Sequence, residues 1–187
     1  NPVCEDLFFG NAASSLRFIL PMLLLGRGKY KVVADSYMDL RSHYDFVICL
    51  EKIGLKFNFL KFFACTPFEV FPELKDKPQL VEINCEKSSQ FLSSLLMFAP
   101  LLRKEIEIKV FNKKVSLPYL QMTLDMMKQF GVSVTESNSQ FFFNGKNCYR
   151  PVNIRIEPDA SSASYFFALA AVSAGEITIP VADWQKS

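Results

Sequence analysis

A serine pair opening an apolar helix occurs three times in this chain of 187 residues: Asn11-Ala12-Ala13-Ser14-Ser15-Leu16, Glu86-Lys87-Ser88-Ser89-Gln90-Phe91 and Pro158-Asp159-Ala160-Ser161-Ser162-Ala163. The leading serines stand 74 residues (14 to 88) and 73 residues (88 to 161) apart. A near-constant period of this length marks a repeated supersecondary unit, and it constrains the fold more than any other feature of the chain.

The elements behind each pair recur in the same order. In the first unit Leu16 to Leu25 reads as a helix ended by Gly26, Tyr30 to Ala34 as a strand, Tyr44 to Ile53 as a helix stopped by Gly54, and Leu55 to Phe59 as an alternating strand. The second unit repeats this with a helix over Ser89 to Leu102, a strand over Ile106 to Phe111, a helix over Pro118 to Phe130 closed by Gly131, and a strand over Val132 to Thr135. Phe141 to Phe143 returns as a hairpin partner ahead of the turn signal Asn144-Gly145. The third unit begins with Val152 to Ile156, a helix over Ser162 to Ala174 stopped by Gly175, and Ile177 to Ile179. The prediction is an α/β chain of repeated units, each helix laying an apolar stripe on a sheet. Residues 1–150 hold two units and 151–187 the start of another. Both ends read as cut, so the expectation is a longer gene product.

Composition excludes several function classes. Half the residues are hydrophobic and 21% are charged, enough for one sizeable core. With 21 basic against 19 acidic residues, no broad field favours nucleic acid or an anionic membrane, so anion recognition must be local. The longest apolar run, Phe18 to Leu25, contains Pro21 and is far shorter than the ~20 residues of a spanning helix, and no signal pattern opens the chain. A soluble, cytoplasmic protein is expected. Cys4, Cys49, Cys65, Cys85 and Cys148 are scattered, and His43 is the single histidine. No metal site or disulfide framework is expected, and the thiols are predicted to be buried or partly buried.

The serine-led helix starts have two readings. Ser88 can simply cap its helix, contributing about 1 kcal/mol. Alternatively the free N–H groups, the helix dipole and the hydroxyls of Ser88 and Ser89 hold a phosphate together. For a lone pair capping is the simpler reading, and three equivalent starts in one fold shift the balance, because similarly placed helices can aim their N-termini at a shared hollow. Ser116-Leu117-Pro118-Tyr119 reads first as an N-cap with proline in the opening turn. Arg17 and Arg41 are either ordinary salt-bridging residues or partners of a carboxylate or phosphate. Asp159 is most simply a helix-start carboxylate. No nucleophile–base pair, glycine-rich phosphate loop or metal signature is present.

Taken in order, these residues resemble the 5-enolpyruvylshikimate-3-phosphate (EPSP) synthase family of enolpyruvyl transferases. Gly10-Asn11-Ala12-Ala13-Ser14-Ser15-Leu16-Arg17 is similar to its Gly-Asn-Ala-Gly-Thr-x-x-Arg signature, and Met38-Asp39-Leu40-Arg41 to its Arg-Met-x-x-Arg-Pro segment. Ser88-Ser89-Gln90-Phe91-Leu92 matches a family run, followed by Leu95-Leu96-Met97 and Ala99-Pro100-Leu101. Ser116-Leu117-Pro118-Tyr119 and Asp159-Ala160-Ser161-Ser162-Ala163-Ser164-Tyr165-Phe166 complete the likeness.

The resemblance implies βαβαββ-type folding units of an inside-out α/β barrel, incomplete at both ends. It implies transfer of the enolpyruvyl group of phosphoenolpyruvate to the 5-hydroxyl of shikimate 3-phosphate, without a cofactor, in a protein that is a monomer when full length. Ser88, Ser89, Gln90, Ser116 and Tyr119 would bind shikimate 3-phosphate. Arg41, the backbone around Ala13, and Gln90 between the substrates would hold phosphoenolpyruvate. Ala13 stands where many members have glycine, which implies retained substrate binding and poorer binding of glyphosate-type inhibitors; Tyr37 and Ser42 replace the family's first Arg and its Pro. The family's lysine-bearing N-terminal site and the acid, base and cationic residues of its other domain have no counterpart here, so this chain alone is expected to be inactive. The alternatives are the sister transferase acting on a UDP-linked N-acetylglucosamine and a non-catalytic repeat or binding domain.

Overall fold

A computed structural model of the chain describes residues 6–73, 80–112, 116–156 and 158–179. The chain divides into two compact units, Asn1–Arg150 and Pro151–Ser187.

The first unit contains one pattern twice. Strand β1 (Asp6–Phe8), helix α1 (Ala13–Ile19), strand β2 (Tyr30–Val33), helix α2 (Tyr44–Ile53) and strands β3 (Leu55–Phe59) and β4 (Phe68–Pro72) form one βαβαββ repeat. Strand β5 (Leu80–Asn84), helix α3 (Ser89–Phe98), strand β6 (Glu105–Phe111), helix α4 (Leu117–Gln129) and strands β7 (Thr135–Ser137) and β8 (Gln140–Asn144) form the next. Each repeat makes a four-stranded sheet of the same topology, β1-β2-β4-β3 and β5-β6-β8-β7. In both, the first pair is parallel and the other two are antiparallel. The predicted repeat is therefore a structural one.

Local chemistry explains the bounds. Helix α2 and strand β3 fall where the sequence puts them, because Gly54 takes the left-handed conformation (φ 114°) and closes the helix with its N–H on the carbonyls of Leu50 and Glu51. The helix predicted over Leu16 to Leu25 is instead α1 followed by a 3₁₀ turn over Leu20–Leu25. Pro21 has no N–H to give to the Arg17 carbonyl, and the Ser94 hydroxyl takes that carbonyl at 2.7 Å. Pro100 divides the next predicted helix in the same way, into α3 and a 3₁₀ turn over Ala99–Leu102.

The strand predicted over Val132 to Thr135 begins only at Thr135. Gly131 donates to the Lys128 carbonyl and Val132 to that of Met127, a Schellman closure that commits these backbone groups to the helix end. The β7–β8 hairpin turns at Asn138 and Ser139, both at positive φ, and Asn144-Gly145 is a separate turn in which Asn144 Oδ1 accepts from the Lys146 N–H. Strands β1, β4 and β5 were not anticipated. In the second unit helix α5 (Ala160–Ser173) forms as expected, whereas Val152 to Ile156 and Ile177 to Ile179 are in no strand among the described residues. Cys49, Cys65 and Cys85 are buried, but Cys148 is exposed, against expectation, in the loop after β8; Cys4 lies outside the described residues.

One core runs through both repeats of the first unit. Helix α1 packs on α3, α3 on α4, and α2 on β5. The Phe46 and Phe91 rings, both almost fully buried, stack across the junction with centroids 4.9 Å apart and planes 6° from parallel. Phe46→Ala should cost about 3–5 kcal/mol in urea unfolding of the chain. A loss below about 1 kcal/mol would mean that the two repeats are not held by a shared core.

Candidate functional site

Where α3 packs against α1 on one side and α4 on the other, the N-terminal halves of α3 and α4 and the last turn of α1 line a cavity of about 570 Å³. Its wall contains Ser88, Ser89 and Gln90 from the start of α3, Ser116 and Tyr119 from the start of α4, and Arg17 from α1. Glu86, Lys87, Ser93 and Thr123 add polar lining, and Phe18 and Met122 apolar lining. All five residues predicted to bind the phosphosugar share this wall, although they come from two segments of the chain. Ala13 and Arg41 do not line it: Ala13 is the first residue of α1, half-buried against the core, and Arg41 is exposed just beyond the 3₁₀ turn Met38–Leu40.

The serines are not equivalent. Ser88 is a true N-cap, its Oγ accepting from the Gln90 N–H at 3.2 Å. Ser116 occupies the N-cap position of α4, but its side chain makes no capping bond, which corrects the capping expectation and leaves that hydroxyl available to the cavity. Pro118, inside the first turn, needs no acceptor for a missing N–H. Ser93 and Thr123 join their hydroxyls at 2.9 Å and tie α3 to α4 behind the serine tips.

Arg17 is the residue whose role the sequence left open. Its Nη1 donates to Gln90 Oε1 at 2.8 Å and to Ser88 Oγ at 3.3 Å, and the guanidinium lies 5.1 Å from the Phe91 ring centroid. Gln90 Nε2 in turn donates to Ser14 Oγ at 2.8 Å, so the first and second serine-led tips meet through one glutamine. The third tip is spent locally: Asp159 accepts from the Ser161 N–H at 2.9 Å and from the Ser162 hydroxyl at 2.6 Å, bonds that hold its carboxyl below the usual range. In the described part of the first unit the hollow is thus built by α1, α3 and the proline-led α4, rather than by serine pairs alone.

Burial, followed by the nearby charge of Arg41, pushes the Arg17 pKa down, yet a guanidinium stays charged at any ordinary pH. His43, the single histidine, is fully buried next to the start of α2 with neither ring nitrogen hydrogen-bonded. Burial, and then Arg17 and Arg41, push its pKa down to about 4. The imidazole is therefore neutral at physiological pH. Among the described residues no group of three or more His, Cys, Asp or Glu could hold a metal, and no helix is long and apolar enough to cross a membrane.

Fold and cavity together define a class of protein: an α/β chain of βαβαββ repeats whose helix starts meet in a hollow rich in hydroxyl and cationic groups. Comparison with known proteins gives this class a family. The family model for EPSP synthase (3-phosphoshikimate 1-carboxyvinyltransferase) matches residues 2–186, and the chain belongs to that family. It is 37% identical over 181 residues to the 3-phosphoshikimate 1-carboxyvinyltransferase of Shewanella amazonensis and 39% identical over 181 residues to that of Vibrio atlanticus. Each match covers 93% of this chain but 41% of the relative, so the chain spans about two fifths of those proteins' length. An EPSP synthase structure from Acinetobacter baumannii superposes with a TM-score of 0.70 at 20% identity, over 92% of this chain and 37% of that one, and shares its fold.

The state of His43 has a measurable consequence. A histidine whose folded pKa lies near 4 against about 6.5 unfolded contributes its full stability above pH 6.5 and loses it as pH falls towards 4. Urea unfolding should show His43→Leu gaining about 2 kcal/mol on the parent chain between pH 7 and pH 5. A difference that stays constant over that range would contradict a buried neutral imidazole.

Proposed function

We propose that this chain is the part of a 3-phosphoshikimate 1-carboxyvinyltransferase that receives shikimate 3-phosphate. The whole enzyme transfers the enolpyruvyl group of phosphoenolpyruvate to the 5-hydroxyl of that substrate and releases phosphate. One observation carries the reading: in a chain of this family, Ser88, Ser89, Gln90, Ser116 and Tyr119 line one cavity, although they come from the starts of two helices.

The roles follow from side-chain chemistry. Ser88, Ser89 and Ser116 offer hydroxyls to the ester phosphate, next to the unpaired N–H groups and positive ends of α3 and α4. Tyr119, 60% exposed, supplies a flat apolar face for the carbocycle. Gln90 reaches from this cavity to Ser14 at the tip of α1, beside Ala13, which supports a position between the two substrates. Phosphoenolpyruvate would lie on that side, held by Arg41 and the backbone around Ala13. Both substrates are anions and the tetrahedral addition step develops charge, so fixed donors can stabilise the transition state.

Residues 1–150 form most of one domain in this reading, and residues 151–187 begin a further repeat that leads toward a second domain. The full-length enzyme acts as a cytoplasmic monomer without a cofactor. The acid, base and cationic groups of the opposing domain are needed for turnover, so the 187-residue chain binds substrate without converting it.

Isothermal titration should detect saturable binding of shikimate 3-phosphate to the chain and none of a UDP-linked amino sugar. Ser88→Ala combined with Ser116→Ala should weaken that binding at least about tenfold, two lost hydrogen bonds to a charged group being ample for such a change. Binding of the nucleotide sugar instead, or steady phosphate release by the chain alone, would overturn the assignment.

A further inference from the structure

Hydrogen-bond direction at the start of α3 is set by one residue that cannot accept. A guanidinium has donors only. Because Arg17 Nη1 approaches Gln90 at 2.8 Å, the atom facing it must be the amide oxygen, so the amide NH₂ is turned towards Ser14 Oγ, also at 2.8 Å. The same guanidinium donates to Ser88 Oγ, which also takes the Gln90 N–H. Both lone pairs of that hydroxyl are then occupied, and its own proton is left to point outward. Ser14 Oγ likewise accepts from Gln90 and keeps its proton free.

We propose that Arg17 is a positioning residue that fixes the hydrogen-bond polarity of the cavity, so that Ser88 at the tip of α3 offers only its proton and the site favours a phosphate ester in its fully ionised, dianionic form. This rests on the assignment of the cavity to a phosphosugar and adds to it the ionisation state that is recognised. A dianionic phosphate is an acceptor at every oxygen and can use each of these protons. A monoanion carries one P–O–H that needs an acceptor, and the Arg17 network has used both lone pairs of Ser88 and one of the two on Gln90 Oε1. Glu86 at the rim could accept from such a proton, but Lys87 beside it favours the dianion. The hydroxyls of Ser89 and Ser116, which make no bond within the cavity wall, adapt to either form. Arg17 therefore acts through Ser88 and Gln90, and without it the amide of Gln90 can rotate and Ser88 regains a lone pair.

The test is titration of the 187-residue chain with shikimate 3-phosphate, and separately with methyl phosphate, a bare monoester, at pH 5 and pH 7. A phosphate ester loses its second proton near pH 6, so a cavity that takes the dianion alone should bind about tenfold more tightly at pH 7. Arg17→Lys, which keeps a donor-only cation, should retain that ratio, whereas Arg17→Gln should reduce it to about threefold or less. Lys87→Met removes a cation without touching the network, and should weaken binding at both pH values while lowering the ratio by clearly less than Arg17→Gln does.

The proposal falls if Arg17→Gln keeps the parent ratio, or if Lys87→Met flattens it equally, since net charge alone would then set the preference. Should Arg17→Gln fail to fold, the phosphorus NMR shift of ligand bound to the parent chain decides. A shift constant from pH 7 to pH 5 supports a bound dianion, and one that titrates like free ligand overturns it. Binding of methyl phosphate with the expected ratio but no binding of shikimate 3-phosphate would sink the phosphosugar assignment and leave the polarity of the cavity standing. No binding of either anion would sink both.

Discussion

Arg17 joins the two repeats at the point where the cavity opens. Its guanidinium reaches Ser88 and Gln90, more than 70 positions further along the chain, and its carbonyl, released by Pro21, takes the hydroxyl of Ser94. One residue of α1 is thus held by three residues of α3 through both its side chain and its backbone. The energy of such contacts comes from their setting. A half-buried guanidinium with a carbonyl oxygen and a ring face as partners interacts in a lower dielectric than water. Its charge also costs least where an anion is to be bound.

The rest of the unit supports that junction. The stacked rings of Phe46 and Phe91 make the core continuous across the repeats, and Phe91 is also the ring under the Arg17 guanidinium. The Ser93–Thr123 pair fixes α4 against α3, which brings Ser116 and Tyr119 to the same wall as Ser88. His43 is kept neutral beside two arginines, so the positive charge of the site stays with the guanidinium groups and is not spread into the core. A repeated unit with identical strand order gives α1 and α3 equivalent places in their repeats, and Gln90 joins their starts through Ser14.

Much of this was legible from the residues. Gly54, Gly131 and the prolines delimit elements through backbone chemistry, and α2 and β3 have the predicted bounds. The 74-residue spacing of the serines (14 to 88) translates directly into two sheets of one topology. What escaped depended on distant partners. The alternation in β4 and β5 is short, and their place in the sheets is fixed by pairing with β2, β3 and β6. The hairpin turn uses Asn138 and Ser139 at φ 48° and 65°, and serine is not a residue that announces this conformation. The five cavity residues were found through family motifs, whereas the direction of each hydrogen bond around Arg17 needed coordinates. An arginine in a sequence shows its charge but not the groups that receive its protons.

The central claim is that the starts of α3 and α4 form one phosphosugar site. It is tested most directly by following the backbone amide resonances of the chain during titration with shikimate 3-phosphate. The account predicts that the amides of Ser88 to Gln90 and of Ser116, Leu117 and Tyr119 shift together, along one saturation curve, with little change on the far sheet edge at β3. Shifts confined to one of the two helix starts, or spread over surfaces remote from both, would contradict it.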